Sequence, residues 1–179
     1  MTREWLWRVN ESDEPLGSVA RDVAHVEAIR HRAGVVFLRD ARGWIYLTKR
    51  AATKAIFPAT YDASASFHVT YGETYGTAAD REALEELGFS RGMTELGKFS
   101  HDDPPEHQFV AVFLMEHAGE IICLDASEAS SGAFMAPAEV LRVVREETCT
   151  PWLREGIRYL PGYNASSAGP SGASAIIAG

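Results

Sequence analysis

Residues 68–89, HVTYGETYGTAADREALEELGF, constrain this chain more than any other stretch. The run from Thr74 to Gly88 is predicted to be a helix. The Thr74 hydroxyl can accept from the free N–H groups of a first turn, and Gly88 is the residue type that most readily takes the left-handed conformation closing a helix. At about 100° per residue, Glu82, Glu85 and Glu86 fall on one side, and Ala79, Ala83, Leu84 and Leu87 on another. Asp80 falls inside that apolar arc, with no role there.

Three carboxylates on one helical face repel one another, so the arrangement costs stability unless a cation sits among them. Hard divalent ions such as Mg²⁺ or Mn²⁺ prefer carboxylate oxygens, and Mg²⁺ usually pairs one or two carboxylates with substrate phosphates. The bland alternative is a solvated acidic face. The flanks favour the cation: Arg81 is placed to pair with Glu73 or Glu85, and Gly72-Glu73 sits just ahead of the cap.

Glu73-x7-Arg81-Glu82-Ala83-x-Glu85-Glu86-x-Gly88-Phe89 resembles the signature of the Nudix hydrolases, G-x5-E-x7-R-E-U-x-E-E-x-G-U, where U is bulky and apolar. It departs in two places. The first glycine falls on Phe67, and U is only Ala83. The resemblance implies an α/β fold, a Nudix-type α/β/α sandwich with a mixed sheet. It further implies Glu82, Glu85 and Glu86 as metal-binding and catalytic residues, with Glu73, Arg81 and Gly88 as structural members.

Outside that stretch, His31-Arg32-Ala33, Thr48-Lys49-Arg50-x3-Lys54-x3-Pro58-x3-Asp62, His68-x3-Gly72-Glu73 and Thr150-Pro151-Trp152 resemble the isopentenyl-diphosphate isomerases and their hydrolase relatives. That likeness implies His31, His68 and Glu106 as metal ligands, with His25 near a further ligand position but offset by one residue. It also implies Arg50 and Lys54 as diphosphate contacts, and His68 belongs with them as a candidate substrate-binding residue. Glu106 and Glu116 are the candidates for an extra carboxylate beside the three glutamates. The isomerase's cysteine falls on Ser66 and its second carboxylate on Gln108. A hydroxyl carries protons poorly compared with a thiol, and an amide cannot accept one as a carboxylate does. The preferred reading is therefore a Mg²⁺- or Mn²⁺-dependent hydrolase of the diphosphate linkage in a small-molecule nucleoside diphosphate joined to another group. An isomerase, or a nucleotide-binding module without turnover, is the alternative.

The remaining chain bounds the reading. Its 179 residues suit one domain with a real core. A net charge of −8 argues against coating a nucleic-acid polymer or an acidic membrane surface. Cys123 and Cys149 stand alone, suggesting neither a zinc knuckle nor a disulfide framework. With no opening apolar segment, a cytoplasmic protein is expected; a homodimer is common in families of this kind.

Strands are predicted at Trp5–Val9, Gly34–Leu38, Trp44–Leu47 and Ala65–Thr70. Two more are expected at Phe109–Glu116 and Glu120–Leu124, paired through Gly119. Gly17–Arg30 shows weak helical spacing. Helices are expected over Ala138–Glu147 and after Pro151. The domain is placed at residues 1–161. Residues 162–179, rich in Ala, Ser and Gly, read as a low-complexity, flexible tail.

Overall fold

The computed structural model describes residues 3–104 and 106–163; the expected tail from residue 164 onward lies outside them. Strands β1 (Trp5–Val9) and β2 (Pro15–Ala20) form a hairpin that leads into a short helix, α1 (Arg21–Val26). Then follow β3 (His31–Arg39), β4 (Ile45–Arg50), β5 (Tyr61–Asp62), β6 (Ala65–His68) and helix α2 (Tyr75–Leu87). The second half carries β7 (Met93–Asp103), β8 (Glu106–Glu116), β9 (Ala129–Met135), α3 (Pro137–Glu146) and α4 (Pro151–Gly156), with a 3-10 turn at Ile157–Tyr159.

The organising strand is β3. It pairs in parallel with β8 over its whole length, from His31↔Gln108 to Arg39↔Glu116. On its other edge it pairs antiparallel with β6 near its start and with β4 near its end. A strand buried on both faces should read as a continuous apolar run, and Ala33 to Leu38 does so. Alternate residues serve opposite layers. Val35, Phe37, Val110 and Val112 pack with Val140, Val143, Leu153 and Ile157 of the α3 and α4 layer. Val36, Leu38, Ala65, Phe67 and Phe113 pack with Ala78, Ala79, Ala83 and Leu87 of α2. The expected α/β/α sandwich with a mixed sheet is what forms.

Helix α2 behaves as its sequence requires. Thr77 N–H donates to the Thr74 hydroxyl, the Thr77 hydroxyl accepts from Thr74 N–H, and Gly88 adopts φ 85°. Leu84, however, is 59% exposed. The buried arc is therefore narrower than the spacing suggested, and it explains Asp80. That residue lies one turn before Leu84 on the exposed side, where the Ser90 hydroxyl donates to its Oδ1 at 2.6 Å.

Three expectations need correction. Residues 17–30 form β2 and then α1, because Gly17 to Ala20 pair in register with Trp5 to Arg8 of β1 and leave only Arg21–Val26 helical. Residues 120–124 are no strand; there Cys123 N–H donates to Leu87 O at 2.9 Å, and Asp125 N–H to Glu86 O at 3.2 Å, closing the C-terminal end of α2. The antiparallel partner of β8 is instead β7, whose largely exposed residues carry little hydrophobic signal.

Phe67, which stands where the signature has its first glycine, is only 6% exposed. Its ring lies across Gly34 on the facing strand, so a Cβ at Gly34 would come 2.4 Å from the ring's Cζ. The bulk missing at one position is supplied at the other. Gly34→Ala is expected to destabilise the fold by about 1–3 kcal/mol through overpacking, and by clearly less in a Phe67→Leu background. Urea unfolding of the single and double variants measures this; strictly additive costs would contradict the ring-over-glycine contact.

Candidate active site

One cavity of about 710 Å³ gathers most of the residues singled out by sequence. Glu82, Glu85 and Glu86 of α2 form one wall, while Arg50, Lys54 and His68 line the remainder together with Gln108, Glu128 and Trp152. The three glutamates share a wall, and Arg81 ties two of them, Glu82 and Glu85, to one nitrogen while leaving Glu86 aside. Its Nε and Nη2 donate to the two Glu73 carboxylate oxygens at 2.8 and 2.9 Å; its Nη1 donates to Glu82 at 2.7 Å and to Glu85 at 3.3 Å. That bidentate clamp fixes Glu73 on the turn ahead of the helix and holds its carboxyl below the usual range.

Glu86 has no such cation at hand. Burial first, then repulsion from Glu82, Glu128 and Asp62, pushes its carboxyl well above the ordinary value, with Lys54 opposing. Burial raises Glu82 too, against its bond from Arg81. Two carboxyls that resist ionisation when alone, those of Glu82 and Glu86, are suited to a cation that would restore the charge.

Across the cavity, Arg50 at the end of β4 is held from behind. Its Nη1 donates at 2.8 Å to Asp62, a residue only 2% exposed. Asp62 also accepts from the Thr150 hydroxyl, the Trp152 indole N–H and its neighbour's Ala63 N–H, each at 2.8 Å, and from Ser66 at 3.0 Å. The Arg50 Nε is buried without a partner. Nothing in the spacing of the sequence marks Asp62 as the hub of this network.

A second group lies beside the cavity. One ligand atom from each of His25, His31, His68 and Glu106 falls within 4.8 Å of every other; among the described residues this is the one such group. Helix α1 supplies His25, β3 His31, β6 His68 and β8 Glu106. Glu106 therefore serves a separate tetrad rather than the three box glutamates, and His68 belongs to both the tetrad and the cavity lining. The other proposed extra carboxylate, Glu116, instead pairs with Arg39 at the far end of β3 and β8.

The donor chemistry of the tetrad fits a cation that accepts imidazole. His31 Nδ1–H donates to Ile29 O at 2.8 Å, which orients its Nε2 lone pair toward the group, where Gln108 meets it. His25 Nδ1 meets Glu106 Oε1 at 2.8 Å, and its buried Nε2 has no partner. The Gln108 amide nitrogen sits between Glu106 Oε2, His31 Nε2 and His68 Nε2, at 2.5, 3.2 and 3.5 Å. Burial lowers His31 to about 4 and depresses His68, so both rings are neutral at pH 7. Burial would raise Glu106, but the bond from His25 brings it below its ordinary value.

The N-terminal segment completes both groups. Leu6 bridges to Thr70, the Trp7 indole N–H donates to Glu73 O at 2.8 Å, and Glu4 and Arg21 line the cavity as an ion pair. No helix among the described residues is long and apolar enough to cross a membrane.

Known proteins resemble this chain in sequence and fold. A NUDIX domain profile matches residues 29–159. An uncharacterised Nudix hydrolase of Streptomyces coelicolor is 43% identical over 98 residues, which span 53% of this chain and 54% of that relative. An uncharacterised Nudix hydrolase of Pseudomonas aeruginosa is 30% identical over 151 residues, covering 84% of this chain and 89% of its own length. The crystal structure of DR0079 from Deinococcus radiodurans superposes with a TM-score of 0.73 at 29% identity, covering 85% of this chain and 96% of that one. With its acidic helix, its clamped turn and these relatives, the chain belongs to the Nudix hydrolase family.

Proposed function

We propose that the cavity hydrolyses the diphosphate linkage of a small nucleoside diphosphate joined to a further group, with Mg²⁺ or Mn²⁺ as cofactor. One observation carries the reading: Glu82, Glu85 and Glu86 line the same cavity as Arg50 and Lys54, and its volume of about 710 Å³ suits a small molecule. Glu85 and Glu86 would hold the cation, with Glu82 as a further ligand or as the base that orients water. A divalent cation held there polarises phosphoryl oxygens and acidifies water. Arg50, locked by Asp62, presents its guanidinium to the remaining phosphate charge; Lys54 adds a second cation. Arg81 and Glu73 position the helix against its turn. The Ser66 hydroxyl, where the isomerase has its cysteine, donates a hydrogen bond to Asp62, which disfavours the isomerase alternative.

Release of phosphate or nucleotide from a panel of nucleoside diphosphate derivatives, with and without Mg²⁺, tests this directly. Glu86→Gln is expected to lower Mg²⁺-dependent turnover by at least about a hundredfold while leaving the fold intact. Full activity in that variant would remove Glu86 from the reaction.

The tetrad is read as a second site, for a transition metal that accepts imidazole nitrogen. Elemental analysis of protein purified without chelator is expected to find such a metal, lost in His31→Asn. In chelator-treated protein the lowered His31 sets the sign of a pH effect. An unfolded histidine, near 6.5, binds protons that the folded one refuses until about 4. Unfolding free energy should then fall as pH drops from about 6.5 to 4, a slope that His31→Asn should flatten. Denaturant titrations across that range measure it, and a slope unchanged in the variant would count against the buried neutral ring.

A further inference from the structure

Lys54 and Glu128 form an ion pair in the cavity lining, apart from the Arg81 clamp and the Glu4–Arg21 pair. The Lys54 ammonium donates to Glu128 Oε2, and both side chains are partly shielded from solvent. Besides charges of the cavity, Asp125 in the loop before β9 feels Lys54 as an attraction. Glu86 feels Lys54 as an attraction and Glu128 as a repulsion, while Arg50 is already committed to Asp62.

The backbone around the pair is fixed independently of it. Ala51 N–H donates to Glu128 O at 2.9 Å, tying the loop after β4 to the loop before β9, and Glu128 N–H donates to Asp125 O at 3.0 Å. Asp125 is itself anchored on the last turn of α2 through Glu86 O. Breaking the side-chain pair therefore requires only rotamer changes, with no movement of either loop.

We propose that Lys54–Glu128 is an exchange pair. Diphosphate takes the Lys54 ammonium, a divalent cation at Glu86 takes the Glu128 carboxylate, and each ligand releases the group that the other needs. The proposal rests on reading the cavity as a site for a cation and a diphosphate. It adds Glu128, which lies outside the signature, to the residues that hold the cation. Because both ligands break the same bond, each lowers the cost of admitting the other, and the coupling is reciprocal. A partly exposed pair sets its size at about fivefold.

The test uses the full chain and two probes added separately: Mn²⁺, followed by the resonance of the free ion, and inorganic pyrophosphate in EDTA, followed by calorimetry. Glu128→Gln is expected to bind pyrophosphate about fivefold more tightly and Mn²⁺ about fivefold more weakly. Lys54→Met is expected to bind Mn²⁺ more tightly. Any lost carboxylate would favour an anion by charge alone, so the double variant decides. In a Lys54→Met background, Glu128→Gln should no longer tighten pyrophosphate binding.

Additive effects in that cycle, both affinities moving the same way in Glu128→Gln, or no binding of either probe by the unaltered protein would each overturn the exchange. If Glu128→Gln fails to fold, the Lys54→Met arm stands alone, and Mn²⁺ binding that is unchanged or weaker overturns it. A protein that shows the predicted cycle yet turns over no diphosphate would retain the exchange and lose the hydrolase reading. A protein that hydrolyses while its cycle is additive would do the reverse.

Discussion

The contact on which the site depends is the fork made by Arg81. Four carboxylate oxygens, from Glu73, Glu82 and Glu85, come to one guanidinium, whose rigid planar donors suit that geometry better than a lysine would. Without it, the acids of α2 would repel one another and the turn carrying Glu73 would lose its hold on the helix. Arg81 leaves Glu86 aside, so the carboxyl most starved of positive charge is also the one buried in the cavity wall. Order in the clamp and need in the site come from the same arrangement.

The packing beneath that helix is matched to it. Ala78, Ala79, Ala83 and Leu87 give α2 a mostly small-residue underside, which lets it approach β3, β6 and β8. Bulk is returned by Phe67, whose ring fills the space left open by Gly34. A glycine lost from a familiar pattern is here balanced by a glycine on the neighbouring strand, and the turn from Gly72 to Thr74 is unaffected.

How much of this could be read beforehand depends on where the signal lies. Helix α2 was legible to its terminal residues because cap, apolar arc and stop signal agree within one local segment. The double pairing of β3 was foreshadowed by its unbroken apolar run. Strand β7 was hidden because its apolar residues Met93, Leu96 and Phe99 are three apart and only partly buried, so they show no strict alternation. The segment 120–124 misled, because Ile121 and Ile122 look like strand residues while the backbone there is spent on the carbonyls of Leu87 and Glu86. Of the site, the acids of α2, Arg50, Lys54 and the histidines were named in advance. Glu128 was not, and Asp62 was quoted only inside the isomerase-like motif with no role of its own, since Arg50, Thr150 and Trp152, which meet Asp62, and Lys54, which meets Glu128, lie 12 to 90 residues away.

Residues 3–28 lie outside the stretch that the NUDIX profile matches, yet they are built into what the profile describes. Trp7 grips the carbonyl of the turn ahead of α2, and His25 supplies one corner of the histidine tetrad. A shortened chain starting at Ile29 would preserve every letter of the signature while surrendering an indole and an imidazole that it never mentions. The borders of the recognisable motif and of the working centre do not coincide in this protein.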